Sequence, residues 1–281
     1  MERFALIVNE SKDTGARASR HIDEYLRTKG ATCLRCVQHR EEKDGYVQYR
    51  YEVPDGTECC IVLGGDGTML QAAGSTFGRD IPLLGVNLGT LGYLTEVEAD
   101  SIDQALDRLL GGEYGIEERM MIRGALSGAP GEVYHALNDI VIARCSSLRV
   151  IPFNVYVNGL CLTSYEGDGM IISTPTGSTG YNMSAGGPIV EPDARILLLT
   201  PICPHTIGSR TIVLSDRDEV RVELAANSGR DTSMVEVTFD GMERKRLTPG
   251  ESILITASSH TTGIVRLCRE SFLETLHRKL A

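Results

Sequence analysis

Positive charge is outweighed in this sequence. Its 28 Lys and Arg face 38 Asp and Glu, a formal charge of −10 and a pI near 5.2. Proteins that hold nucleic-acid phosphates need a basic surface, so nucleic acid is excluded as a partner. An anionic ligand must be held by local donors instead. No apolar run approaches the length that spans a bilayer, which excludes a membrane-spanning segment. The apolar stretch Arg3-Phe4-Ala5-Leu6-Ile7-Val8 is too short, after an acidic start, for a secretory signal, and the expected location is cytoplasmic. Internal repeats, low-complexity stretches and heptads are missing, and no histidine–carboxylate spacing marks a metal site. The first apolar run ends in Asn9-Glu10-Ser11-Lys12-Asp13 with no G-x-G-x-x-G, which counts against a Rossmann dehydrogenase. The eight cysteines are scattered, and Cys60, Cys145 and Cys161 fall inside apolar strands, so reduced thiols are expected rather than disulfides. Cys33, Cys36, Cys59 and Cys60 would make a poor zinc site, since adjacent strand residues point to opposite faces.

What remains is ordinary globular material. A chain of 281 residues with 42% apolar and 23% charged content can bury a core and fits two medium domains. Through the first hundred residues, strand and helix alternate. Apolar runs at 4–8, 32–37, 60–63 and 81–87 read as strands, and 14–29 reads as a helix stopped by Gly30. A polar loop containing Pro54-Asp55-Gly56 joins the second and third strands. Ser101-Ile102-Asp103-Gln104 has capping-box form ahead of the helical 105–110, which Gly111-Gly112 stops. This alternation predicts a Rossmann-like parallel sheet over 1–115, with ligands at the carboxyl ends of its strands. From 116 the period changes to two: 153–157, 220–224 and 235–239 alternate apolar and polar residues between turns such as Asn158-Gly159 and Pro249-Gly250. A β-rich, sandwich-like domain over 116–264 follows. Residues 271–280 form an amphipathic helical pattern, and 265–281 is expected to return to the first domain.

The chemistry gathers around glycine. Cys59-Cys60-Ile61-Val62-Leu63 reads as a buried strand and stops at Gly64-Gly65-Asp66-Gly67-Thr68, after which 68–73 has helical propensity. Glycines let backbone approach a ligand, and a helix N-terminus favours phosphate. Asp66 fits no simple phosphate cradle, and the lysine of a phosphate-binding G-x-x-x-x-G-K-[ST] loop is missing. A carboxylate there points to a base or to a ligand for a phosphate-bridging metal.

Other segments carry weaker signals. Asn87-Leu88-Gly89-Thr90-Leu91-Gly92-Tyr93-Leu94 follows a strand and has the composition of an ordinary βα loop. Asn138-Asp139 has the form of an Asx turn before a strand. Glu166-Gly167-Asp168-Gly169 leads into a nearly uncharged run of hydroxyls and small residues over 173–188, whose donors would suit a polar ligand. Pro201-Ile202-Cys203-Pro204-His205 holds the most site-like histidine, although a lone histidine is commonly structural.

Gly64-Gly65-Asp66-Gly67-Thr68 resembles the signature shared by NAD kinases, lipid kinases and phosphofructokinases. Together with 87–93, Asn138-Asp139, Asp168-Gly169, 174–181, 184–188 and 201–205, all in that order, the sequence is similar to NAD kinases. The resemblance implies phosphorylation of the 2′-hydroxyl on the adenosine ribose of NAD, with ATP or polyphosphate as donor. It implies Asp66 as general base and Gly65, Gly67 and Thr68 around the phosphates. Tyr93 would pack on the dinucleotide, and Asn138, Asp139 and Asp168 would bind its polar groups. Glu166 occupies a binding position, and Arg149 is the implied counter-charge. Thr179, Gly180, Tyr181, Asn182, Met183 and Ser184 would wrap the substrate. A divalent ion, Mg²⁺ in the simplest case, would be held through the donor's phosphates, and the family's dimers or tetramers imply a homo-oligomer. Gly180 stands where many relatives have alanine, Glu166 where several have a basic residue, and Met242 where glutamine is frequent. A lipid kinase and a non-catalytic nucleotide sensor are the rival readings.

Overall fold

The computed structural model describes residues 1–43, 46–89, 92–145, 150–205, 209–225, 235–267 and 272–280. Packing divides the chain into Met1–Arg119 with Thr262–Ala281, and Met120–Thr261. These limits differ by a few residues from 115/116 and 264/265. The strands Gly115–Leu126 and Ser252–Arg266 each begin in one unit and end in the other, and no composition change marks the crossing.

In the first unit the parallel strands Thr32–Arg35, Arg3–Val8, Cys59–Gly64 and Leu83–Asn87 lie side by side in that order. Ala5 pairs with both Leu34 and Cys60, and Ile61 with Leu84. Val97–Glu98 and the end of Ser252–Arg266 also pair in parallel with Leu83–Asn87. Every residue of the two strands Cys59–Gly64 and Leu83–Asn87 is buried, which is why they read as continuous apolar runs rather than alternating ones. Helices Arg17–Thr28 and Ile102–Leu110 cover one face. Their Ile22, Leu26, Leu106 and Leu109 join Phe4, Leu6, Ile61, Leu63 and Leu84 in one core. Helix Asp66–Ser75 approaches Gly85 closely: a Cβ there would lie 3.0 Å from Met69 Sδ.

Local signals shift at three points. The stretch expected to loop after the second strand is a hairpin, Val37–Lys43 with Tyr46–Glu52, whose Tyr51 N–H donates to Ser75 Oγ at 3.0 Å. It carries charged or aromatic residues on both faces, so no apolar alternation betrays it. The helix expected from 14 begins at Arg17 after a turn at Thr14–Ala16, and the Asp13 carboxylate accepts the N–H groups of Ala18 and Ser19. The Ser101 capping box does not form: a short 3₁₀ turn, Ala99–Ser101, precedes Ile102–Leu110, and Ser101 makes no side-chain cap.

The second unit is antiparallel. One sheet contains Leu160–Gly167, Ile151–Val157, Val220–Leu224 and the start of Ser252–Arg266; the other runs Ile212–Ser215, Ile196–Ile202, Gly169–Ser173, Asp139–Arg144, Val235–Phe239, Glu243–Leu247. Val220–Leu224 and Val235–Phe239 bury alternate residues. Phe153, Val155, Val222 and Ile253 of the first sheet pack with Ile140, Ile172, Leu199, Val237 and Phe239 of the second in a common core, a β-sandwich. The C-terminal helix Phe272–Leu280 belongs to the first unit, where Phe272 lies 6.3 Å from the Tyr93 ring and Lys279 Nζ sits 4.1 Å over it. Among the described residues no helix is long and apolar enough to cross a membrane.

Phe153 is fully buried in the sandwich. Replacing it with alanine should lower the unfolding free energy by about 3–5 kcal/mol in a urea titration, and a loss below about 1 kcal/mol would refute the packed core around it.

Candidate functional site

In the first unit the strand Cys59–Gly64 hands the chain to Gly65, in extended conformation, and to helix Asp66–Ser75. The Gly65 carbonyl accepts the N–H groups of Thr68 (2.9 Å) and Met69 (3.1 Å). Among the described residues nothing accepts the Asp66 and Gly67 amides, the orphan donors of a helix start. The Thr68 hydroxyl fills the space where a Gly64 side chain would stand and accepts Asn9 Nδ2 at 3.3 Å, whereas a Cβ at Gly67 would meet open space. Asp66 is the first helical residue. Its carboxylate accepts Tyr93 N–H at 2.9 Å and Leu94 N–H at 3.0 Å, and any Cβ on Gly92 would collide with it. Gly92 is therefore glycine because Asp66 rests on its Cα. With two amides bound, a carboxylate still has acceptor capacity to spare.

The loop reaching down to Asp66 is itself braced. Asn87 Nδ2 donates to Gly89 O (2.7 Å), Gly89 N–H returns to Asn87 Oδ1 (3.1 Å), and Gly92 N–H bonds Thr95 Oγ1 (3.2 Å). Thr90 and Leu91 lie outside the described residues. Tyr93 thus serves Asp66 through its backbone, while its ring faces Phe272 and Lys279. Burial, and then the Asp66 charge, raises the Tyr93 phenol above its ordinary value.

The second unit gathers Asn138, Asp139, Asp168 and Tyr181. Asp240 organises the first two: its carboxylate accepts the N–H groups of Leu137 (2.8 Å), Asn138 (2.7 Å) and Asp139 (3.2 Å), and its own N–H donates to Asp139 O. Burial, then the Asp240 charge, pushes Asp139 up to about 7. Burial raises Asp240 as well, to about 6, although its three amides favour the charged form, so of the two acids Asp139 holds its proton to the higher pH. The Asn138 carbonyl accepts Thr174 N–H (2.9 Å) and Ser173 Oγ (3.2 Å), yet its side-chain Oδ1 is buried with no hydrogen-bond partner.

The hydroxyl-rich run is not a loose loop of free donors. It forms two short helices, Thr176–Thr179 and Tyr181–Ser184, and spends its polar groups on itself. Thr174 Oγ1 donates to Leu137 O, Ser178 Oγ braces Val190, and Thr179 Oγ1 donates to Thr176 O. Asn182 is fully buried, its amide donating to Ser178 O and Pro188 O and accepting Thr200 Oγ1 at 2.6 Å. Tyr181 and Met183 remain exposed, as does Ser184. Burial, then the charges of Cys203, Asp168 and Asp139, raises the Tyr181 phenol. A methyl at Gly180 would make an ordinary contact with Asn138 Nδ2 at 3.5 Å but would stand 3.3 Å from Gly177 O, where the carbonyl has to give by a few tenths of an ångström.

Asp168 pairs with Arg144 at 2.9 Å. Glu166 is exposed, and its carbonyl accepts His205 N–H at 2.8 Å. Arg149 lies outside the described residues. Sequence reasoning overlooked Lys12, Arg144 and Asp240. The first follows the carboxyl end of a parallel strand, where ligands collect; the other two look like ordinary strand-end charges. Among the described residues no three His, Cys, Asp or Glu side chains are grouped to hold a metal.

Family models describe both halves. Residues 4–114 match the ATP-NAD kinase N-terminal domain and residues 137–267 the ATP-NAD kinase C-terminal domain. The chain is 41% identical over 293 residues to the NAD kinase of Lachnospira eligens, with 100% of each chain covered, and 44% identical over 231 residues to that of Geobacter metallireducens, covering 82% of this chain and 80% of the relative. Among solved structures, the yeast NADH kinase complexed with NADH shares the fold at a TM-score of 0.86 and 21% identity, over 100% of this chain and 87% of the other. An NAD kinase from Archaeoglobus fulgidus in complex with ATP superposes at a TM-score of 0.77 with 26% identity, over 99% and 98%.

Gly92→Ala should cut turnover by at least about tenfold while far-ultraviolet circular dichroism stays native, because the added methyl displaces the Asp66 carboxylate; unchanged turnover would show that Asp66 needs no such support. Asp139 makes a pH signature. Its folded form holds a proton up to about pH 7, whereas the unfolded chain releases it near pH 4. The stabilisation is complete below about pH 4 and is lost as pH rises through about 7, by up to about 4 kcal/mol. Thermal unfolding of wild type should therefore weaken more steeply than that of Asp139→Asn between pH 5 and pH 8, and parallel curves would remove Asp139 as the cause.

Proposed function

The chain belongs to the NAD kinase family and converts NAD to NADP, and from that premise we propose that Asp66 is the general base of the transfer. The supporting observation is the Asp66 carboxylate fixed by two amides at the start of a helix among glycines. Phosphoryl transfer requires positioning and charge neutralisation rather than covalent chemistry from the protein. A ribose 2′-hydroxyl becomes a competent nucleophile as its proton leaves, and a fixed carboxylate within reach takes that proton. Gly65, Gly67 and Thr68, with the open amides of Asp66 and Gly67, form the phosphate-facing backbone.

The match of both halves to one family sets the lipid-kinase reading aside. In the second unit, the buried and unpartnered Oδ1 of Asn138 suits an exocyclic amino group such as that of adenine. Asp139 and Asp168 supply acceptors for ribose hydroxyls. Tyr181, Met183 and Ser184 give the ligand-facing surface, with Thr179, Gly180 and the buried Asn182 holding that surface in shape. Tyr93 adds an aromatic ring, and Arg149 and Glu166 complete the binding set. ATP is the donor this reading favours, as in the Archaeoglobus fulgidus complex. A divalent cation such as Mg²⁺ would come with the donor, held mainly through its phosphate oxygens, and would supply neutralisation of phosphate charge. The reading extends to a cytoplasmic homo-oligomer.

Asp66→Asn should still bind NAD in calorimetry while NADP formation falls by about 10²–10⁴-fold. A variant within a few-fold of wild type would end the assignment of Asp66 as base.

A further inference from the structure

We propose that Lys12 is the cation that binds the terminal phosphates of the phosphoryl donor over the Gly65 loop. The inference rests on the reading of that loop as the donor site. Its starting observation is the ammonium itself: a Cβ on Gly65 would lie 2.9 Å from Lys12 Nζ, and one on Gly89 3.7 Å from it. The lysine head group therefore stands over the backbone of two glycine loops, in space that any side chain on Gly65 would take.

Lys12 is held there from both sides. Asn9 N–H donates to Leu63 O at 2.9 Å and Asn9 Nδ2 to Thr68 Oγ1 at 3.3 Å, which ties the segment to the glycine motif. The Asn9 carbonyl accepts Lys12 N–H and Asp13 N–H, both at 3.0 Å, and Asn9 Oδ1 accepts Ser11 N–H. Asp13 in turn receives the first amides of helix Arg17–Thr28. The backbone of Lys12 is thus fixed between the glycine motif and a helix start.

Among the described residues Lys12 makes no ion pair or side-chain hydrogen bond. Each acid near it is engaged elsewhere: Glu10 with Arg35 at 2.9 Å, Asp13 with Ala18 and Ser19, and Asp66 with Tyr93 and Leu94. In a chain of net charge −10, an unpaired ammonium beside the open amides of Asp66 and Gly67 meets the requirement that composition imposes, a local donor for an anion. A phosphate carrying two or more charges would bond the ammonium and the helix-start amides together. This supplies the cation that the sequence lacks in the form of a phosphate-loop lysine, from the end of the first strand instead of the third.

Three forms of the chain test this: wild type, Lys12→Ala and Lys12→Arg. Lys12 is exposed, so both variants should match the wild-type Tm. Calorimetry with Mg·ATP, and separately with inorganic tripolyphosphate, should show Lys12→Ala weakened by about tenfold or more, with NAD affinity unchanged and Lys12→Arg retaining most of the affinity. In steady state, Lys12→Ala should raise KM for ATP by a similar factor, leaving KM for NAD within twofold. ATP and tripolyphosphate binding equal to wild type in Lys12→Ala would overturn the proposal, as would equal losses for ATP and NAD. If wild type makes no NADP, the functional reading fails, and the two binding titrations still decide the role of Lys12.

Discussion

The bond from the Asp66 carboxylate to the amides of Tyr93 and Leu94 is the constraint on which the first site depends. It joins the loop after one parallel strand to the loop after the next, and it permits no side chain at Gly92. Parallel strands make this possible, since Cys59–Gly64 and Leu83–Asn87 pair in register and deliver both loops at the same edge. The same edge receives Asn9 and Lys12 from the end of Arg3–Val8, which pairs with Cys59–Gly64 from the other side. A carboxylate, an ammonium and two open amides are thereby placed by three strand ends. Helix Phe272–Leu280 adds a fourth element by resting on the ring whose backbone holds Asp66.

The second unit solves the opposite problem. Its hydroxyls and amides are numerous, and most are consumed in fixing two short helices and one turn. Asp240 shows the logic: a single carboxylate binding three successive amides makes Asn138 and Asp139 rigid, and burial, with the Asp240 charge added, drives Asp139 towards its neutral form. After that internal accounting, Asn138 Oδ1 is left without a donor. Buried polar atoms rarely stay unpaired without cause, so such an atom marks where a ligand group belongs.

Much of the fold was legible because periodicity is local. Continuous apolar runs gave the buried parallel strands, and alternation gave the sandwich strands Val220–Leu224 and Val235–Phe239. The hairpin Val37–Lys43 with Tyr46–Glu52 escaped because both its faces are polar or aromatic and no face stands out as buried. The capping box at Ser101 failed because a 3₁₀ turn took the position that the cap needed.

At the site, the residue types themselves pointed to Asp66 and its flanking glycines, whereas Asn138-Asp139 read locally as an Asx turn and stood out only through the resemblance to NAD kinases. Sequence alone also set the acidic balance that makes an isolated cation informative. What each group touches was decided only by tertiary structure. Asp66 meets amides 27 and 28 positions away, Asp240 meets amides more than 100 positions away, and Lys12 finds glycines that the chain reaches through other strands. Hydrogen bonds are short and directional, so such partnerships follow from strand register and loop approach, which no local pattern encodes.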